Sequence, residues 1–555
     1  MGARGRARVC AQVHRRSIQT RDQLHRLRDD ALSDIRAPGD VSHTQHPIAL
    51  ILIAIVLITS GCSPVKEDQH RVTLDTGLGS ITGLRRNGVM QFLGIRYAKA
   101  PVGDLRFMPP VAAGGWAGTL DATTYGNWCP QQGGLADAIG TADRPMSEDC
   151  LVLNVVTPAQ DGEARPVLLW IHGGGHQEGS ANDYDGSRLA AQGDVVVVTI
   201  NYRLGLLGYA GLSSLGEQYA GAESNGYRDQ ILALEWVRDH IADYGGDPGN
   251  VTIFGESAGG HSVLAMLASP SADGLYHKAI AHSPGDIAIP SEDKVPALAE
   301  ALGVSRDALG ATLRDLPVGK LLELRELGMT AGTIDGVVVT RSKNEAIVGR
   351  GMSGVPLIAG SNRDEGTLFS VLVPESLHAA MTTGAADMVT GGVDAERYLA
   401  AMTSAHPEDA SARFEQIWAD AFLAVSLSAA QRATAAGPGG WLYRFDMEST
   451  VPFLGSRLGA THAAEITFTF NTVGDDSLLN LYDGDDPDVR RLAEQWSNTI
   501  IAFARTGTPN GAGLPEWPRY SADDRRTLVL DTTCRIEPNL QRERLDLWEA
   551  VGITP

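Results

Sequence analysis

Short apolar runs rich in β-branched residues recur along the chain, each closed by a cluster of glycine and small polar residues. Val167-Leu168-Leu169-Trp170-Ile171 leads into His172-Gly173-Gly174-Gly175, and Val251-Thr252-Ile253-Phe254 leads into Gly255-Glu256-Ser257-Ala258-Gly259. Val355-Pro356-Leu357-Ile358-Ala359 ends in Gly360-Ser361-Asn362-Arg363-Asp364-Glu365-Gly366. Trp441-Leu442-Tyr443-Arg444-Phe445 is followed by a loop that contains Gly459-Ala460-Thr461-His462-Ala463-Ala464-Glu465. Runs of this length and composition, bounded by turn formers, predict buried strands. Gly260-His261-Ser262-Val263-Leu264-Ala265-Met266-Leu267 has instead the apolar spacing of a helix. The run Ile48–Ile58 is of another kind: eleven apolar residues are too few to span a bilayer comfortably and suit the h-region of an export signal.

Nine arginines and no lysine precede that run, and Thr59-Ser60-Gly61-Cys62-Ser63-Pro64 follows it. Small residues directly before a cysteine, behind an apolar core, resemble the bacterial lipobox, in which the cysteine is acylated and becomes the first residue. Thr59 departs from the usual leucine at its position. We expect residues 1–61 to be a lipoprotein-type export signal, residues 62–71 a short tether and residues 72–555 one domain. Simple secretion and a short N-terminal anchor helix are the alternatives. Residues 1–46 are long for an n-region, as expected where translation starts downstream of Met1. Length alone would suggest about three domains. No Pro- or Ser-rich linker and no repeat interrupts the chain after Val72, which favours a single large domain with excursions.

Composition is that of a globular protein, with 43% hydrophobic and 20% charged residues. The whole chain has 46 basic and 67 acidic residues; without the 9 Arg and 5 Asp of the first 61 residues, 37 and 62 remain, a net charge of −25. Such a surface repels phosphate backbones and anionic headgroups, which excludes nucleic acid as an expected partner. Membrane attachment must then come from the N-terminus. Of the five cysteines, Cys129 and Cys150 would close a loop of 22 residues, compatible with an oxidising compartment and worth about 3 kcal/mol by chain entropy. Cys534 is expected to be a buried free thiol. No cysteine or histidine cluster has zinc-site spacing, so neither metal nor cofactor is expected.

A strand, a turn centred on Ser257 and a helix make the nucleophile elbow of α/β-hydrolases, and G-x-S-x-G occurs once in 555 residues. A serine hydroxyl needs a base, a group that orients the base, and donors for the oxyanion. Consecutive glycines after a strand, as in His172-Gly173-Gly174-Gly175, supply such donors in lipases and esterases. Asp364 and Glu365 compete as the acid. Chain order Ser, acid, His leaves His378, His406 and His462 as bases. His406 lies before Pro407 in a polar stretch and His378 in a lid or surface segment, so His462, in its small-residue loop after a strand, is the best of the three.

From about Ile81 to Tyr520 the chain resembles the type-B carboxylesterases, the cholinesterase-like branch of the α/β-hydrolases. The resemblance is carried by Phe92-Leu93-Gly94-Ile95-Arg96-Tyr97-Ala98 through Leu105-Arg106-Phe107, and by Ser147-Glu148-Asp149-Cys150-Leu151-Val152-Leu153-Asn154-Val155. Asn201-Tyr202-Arg203-Leu204-Gly205, Asp229-Gln230 and Gly245-Gly246-Asp247-Pro248 continue it up to the elbow. The resemblance implies an α/β-hydrolase fold, a central mostly parallel sheet flanked by helices, with lid excursions. It implies Ser257 as nucleophile, Glu365 rather than Asp364 as acid and His462 as base. It also implies the backbone N–H groups of Gly174, Gly175 and Ala258 as oxyanion donors, a Cys129–Cys150 disulfide, and Glu256 and Ser283 as supporting residues.

Three positions depart from the family pattern. His176 replaces an aromatic or aliphatic residue and is expected in the acyl-side wall. His282-Ser283-Pro284 replaces a common Gln-Ser-Gly. Residues 130–149 contain no Trp, Tyr or Phe, and Trp128 lies just outside them; a choline site there would need an aromatic face. The expected protein is an exported, lipid-anchored serine carboxylesterase acting on a small-molecule ester through an acyl-enzyme. The alternatives are a lipase or thioesterase of the same fold, and a noncatalytic cholinesterase-like binding protein.

Overall fold

The computed structural model describes residues 70–132, 144–287, 290–329, 332–349, 355–391, 394–475 and 481–553. The expected export signal, Cys62 and most of the tether lie outside the described residues. Among the described residues thirteen strands make one sheet: β1 (His70–Thr76), β2 (Gly79–Arg86), β3 (Val89–Arg96), β4 (Thr119–Asp121), β5 (Val152–Thr157), β6 (Arg165–Ile171), β7 (Val196–Ile200), β8 (Gly246–Glu256), β9 (Lys278–His282), β10 (Leu357–Asn362), β11 (Gly440–Phe445), β12 (Arg526–Leu530) and β13 (Arg535–Pro538). Their order is β1-β2-β3-β5-β7-β6-β8-β9-β10-β11-β12-β13, with β4 beside β2. Every pairing from β7 through β12 is parallel, and antiparallel strands close both edges. Gln69–Pro555 forms one compact unit, and β1 begins two residues ahead of the boundary read from the sequence.

The central strands read as unbroken apolar runs because both of their faces are covered. Along β6, Val167, Leu169 and Ile171 join one core, whereas Leu168 and Trp170 join the other. The same alternation holds in β8, where Val251 and Ile253 face one core and Phe254 the other, and in β10, where Ile358 faces away from Leu357 and Ala359. A period of two on a doubly buried strand leaves no polar positions to mark it.

Six helices bear on the site: α1 (Asn225–His240), α2 (Ala258–Ala268), α3 (Gly366–Leu372), α4 (Glu375–Thr390), α5 (Ala410–Ala436) and α6 (Pro487–Thr506). Helix α2 starts two residues earlier than its apolar spacing predicted, at Ala258. Strand β10 extends through Ser361 and Asn362, which the sequence placed in a loop. Parallel pairing of these residues with Arg444 and Phe445 of β11 holds them extended despite their turn-forming character.

Candidate active site

Loops at the carboxyl ends of the parallel strands carry the chemistry, the usual ligand crevice of an open α/β sheet. Ser257 follows β8 at φ 56°, ψ −120°, between the strand and α2. Its backbone N–H bonds the His282 carbonyl at 3.0 Å, and its carbonyl accepts from His261 N–H at 2.8 Å. A non-glycine residue held at positive φ is strained and persists only where its surroundings over-determine it. Gly259 is one such determinant, since a Cβ there would collide with the Ile171 carbonyl at the end of β6. The elbow thus packs directly on the strand that leads into the glycine loop.

In that loop Gly174 has φ 96°, and its carbonyl accepts from both Gln177 N–H (2.9 Å) and Glu178 N–H (3.0 Å). A Cβ at Gly174 would collide with the Glu178 carbonyl. Gly173, Gly174 and Gly175 line one cavity of about 580 Å³ with Ser257, Glu256 and His462, a volume typical of small-molecule sites.

Glu365, just after β10, is fully buried and places Oε2 2.6 Å from His462 Nδ1. Its Oε1 accepts from Ser283 Oγ at 2.6 Å and from Asn362 N–H at 2.7 Å. The competing carboxylate turns elsewhere: Asp364 accepts from Ala460 N–H at 2.9 Å and from Arg363 Nη2 at 2.8 Å, pinning the loop that carries His462. His462 is stacked on Phe422 at 4.6 Å and lies against Phe369 at 5.0 Å. His378 sits on α4, stacked on Phe414 and donating to the Val373 carbonyl at 3.0 Å. His406 ends the helix Ala395–Ala405.

Glu256 does more than brace the elbow. Its Oε1 lies 3.1 Å from His462 Nε2, an ion-pair contact off the hydrogen-bonding line. Burial pushes the Glu256 carboxyl up. Burial works to lower His462, but the charges of Glu256 and Glu365 override it and raise the imidazole to about 9.

Several contributors had no signal in the sequence. Asn362 Nδ2 donates to the Thr461 carbonyl and to Glu465 Oε2, both at 2.6 Å, tying β10 to the His462 loop. Burial raises Glu465 to about 7. Helices α3 and α4 give the cavity Leu368, Phe369, Leu372 and Met381, whereas Trp128, Arg144 and Asp183 give it a polar and aromatic contribution. The Arg144 guanidinium lies 3.9 Å from the Trp128 ring centroid, so the chain's own cation covers that aromatic face. Burial pushes Asp183 up to about 7, against the pull of Arg144 at 3.9 Å.

Two expectations need correction. His176 is not a wall of this cavity: its buried ring lies behind the glycine loop, against Tyr209, Tyr227 and His261, because its φ of 58° turns the side chain away. Cys534 is only half-buried, its thiol near the Asp531 carbonyl at 3.5 Å. The Cys129–Cys150 disulfide is formed. His282, where the family has glutamine, meets the Tyr443 hydroxyl at 2.7 Å. Among the described residues no group of three or more His, Cys, Asp or Glu side chains is placed to hold a metal ion.

Residues 68–548 match the profile of the carboxylesterase family. The para-nitrobenzyl esterase of Bacillus subtilis (strain 168) is 36% identical over 494 residues, covering 86% of this chain and 98% of that protein. The medium-chain fatty acyl-CoA hydrolase precursor of Anas platyrhynchos is 33% identical over 557 residues, covering 90% and 95%. A solved PNB esterase structure is similar with a TM-score of 0.77 and 33% identity, over 87% of this chain and 99% of that one.

Proposed function

The chain belongs to the carboxylesterase family and hydrolyses carboxylic esters, and we propose that it does so through Ser257, His462 and Glu365 by way of an acyl-enzyme. The observation that carries this reading is the convergence of Ser257 and His462 on one cavity, with His462 bonded to buried Glu365 at 2.6 Å. Glu365 accepts the Nδ1 proton and so holds the imidazole in the tautomer whose Nε2 can take a proton. Ser257 Oγ attacks the ester carbonyl as Nε2 removes its proton, and the carbonyl oxygen becomes negative. The N–H groups of Gly174, Gly175 and Ala258 receive that oxygen. Nε2 then protonates the departing alcohol. Water repeats the sequence on the acyl-enzyme and releases the acid.

The Ser257→Ala variant should lose about 10⁶-fold in p-nitrophenyl acetate turnover and all fluorophosphonate labelling; retained labelling would sink the assignment. The apolar residues of α3 and α4 also suit longer acyl chains, the second reading. A panel of short-chain esters, acyl-CoA thioesters and emulsified triglyceride separates the two. With Trp128 covered by Arg144, choline esters are expected to be poor substrates.

Export with a lipid on Cys62 belongs to the same proposal. The apolar run Ile48–Ile58 and the disulfide, which suits an oxidising compartment, support it. Mass spectrometry of the mature N-terminus should find diacylglycerol on Cys62. A free N-terminus elsewhere removes the anchor, and an unprocessed cytoplasmic chain removes export as well.

A further inference from the structure

We propose that His176 is a positioning residue, clamping the glycine loop to helix α2 so that donors from two separate segments converge on one oxygen. The proposal rests on the reading of Gly174, Gly175 and Ala258 as oxyanion donors. Those groups belong to different elements: two follow β6 and the third opens the helix after β8. An oxyanion hole works only if its donors hold their places before charge develops, so the loop and helix need a rigid link.

His176 supplies that link from both its backbone and its ring. Its carbonyl accepts from Gly205 N–H at 2.7 Å, which anchors the loop to the segment after β7. Its Nε2 meets Ser262 Oγ at 3.2 Å, and Ser262 Oγ accepts from Gln230 Nε2 of α1 at 3.0 Å. Ser262 lies four residues after Ala258, on the same face of α2 one turn on. Tyr209 at 4.8 Å, His261 at 5.3 Å and Tyr227 at 5.6 Å hold the ring plane from three sides.

The hydrogen-bond polarity is consistent along the whole relay. Burial keeps the His176 imidazole neutral, well below its ordinary titration range. A neutral ring has one acceptor and one donor nitrogen. Gln230 N–H donates to Ser262 Oγ, and the Ser262 hydroxyl donates to Nε2 of the ring. A phenylalanine could fill the same aromatic nest but could not accept from Ser262. Packing and clamping are therefore separable by substitution.

The test compares His176→Phe, His176→Gln and Ser262→Ala with wild type, all rates expressed per fluorophosphonate-titrated site. His176→Phe should lower kcat about 10-fold, in line with the cost of a small misplacement of catalytic groups, with KM within about 2-fold and Tm close to wild type. A trifluoromethyl ketone, whose hemiketal oxygen occupies the hole, should lose affinity in the same proportion. Ser262→Ala breaks the link from the helix side and should reproduce both losses, and His176→Gln, which keeps a polar end, should restore most of each. Unchanged kcat and inhibitor affinity in His176→Phe and Ser262→Ala would overturn the clamp, as would losses that appear only in step with a fall in Tm. A wild-type chain with no ester turnover would instead remove the reading of the site on which the clamp rests.

Discussion

The two halves of the site are built from different materials. On the proposed nucleophile side the groups are mostly backbone: the strained serine at φ 56° and the N–H groups of a glycine loop, positioned by close main-chain approach. On the proposed acid–base side they are mostly side chains: Ser283 Oγ and His462 Nδ1 each lie 2.6 Å from a buried Glu365 oxygen, and Asn362 Nδ2 donates to the Thr461 carbonyl at 2.6 Å beside them. At Gly173, Gly174 and Gly259 the first half tolerates no added atom, because a Cβ there would strike main-chain carbonyl oxygens. The second tolerates no lost partner, because an unpaired polar group in the interior costs more than the bond was worth. Geometry protects one half and electrostatics the other, and substitutions should separate them.

Loss of the nucleophile itself aside, the largest effect is expected on the side-chain half. Glu365→Gln preserves shape but no longer enforces the tautomer, and kcat should fall about 10⁴-fold. Asp364→Asn should leave kcat near wild type and show itself in Tm, since Asp364 only pins the loop at Ala460. Equal kcat losses in the two variants, read from steady-state kinetics, would reverse the assignment of the acid. On the backbone half, Gly174→Ala should lower kcat 10²–10³-fold, roughly the loss of one oxyanion donor, with KM moving less. A fully active Gly174→Ala enzyme would mean that the loop can give way, and the contrast between the halves would fail.

A smaller effect probes where the halves touch, at Glu256 beside His462 Nε2. The base must be neutral to accept the serine proton, and the surrounding carboxylates raise its pKa to about 9. The acid limb of kcat/KM should therefore lie above the ordinary histidine range of about 6.5, activity rising with pH through that limb. Glu256→Gln removes a charge that favours the imidazolium, so the limb should move to lower pH. A limb that stays in place in the pH profile would assign it to a group other than His462.

Legibility followed the same division. The elbow and the glycine loop could be read from consecutive residues, because glycine requirements and the strand-turn-helix order are written locally. Asp364 and Glu365 could not be separated by position, since adjacent residues differ only in which way the turn aims them. The family resemblance favoured Glu365, and it is Glu365 that lies 2.6 Å from His462, 97 residues away in the chain. His176 was misread for a related reason: a positive φ reverses where a side chain points, and nothing in the order of residues announces it. Asn362 was hidden in a stretch that looked like a loop and is a strand because Phe445 of β11 pairs with it.

By itself the amino-acid sequence determined the family, the buried strands, the elbow at Ser257 and the glycine loop, all of which depend on short-range steric and apolar pattern. Only the tertiary structure decided that Asp364 braces while Glu365 meets the imidazole, that Glu256 reaches His462 and that His176 faces away from the cavity. It alone brought α3, α4, Trp128 and Arg144 to one cavity. Those outcomes depend on the direction of individual side chains and on segments far apart in the chain, and such directions are set by packing that no local stretch of residues contains.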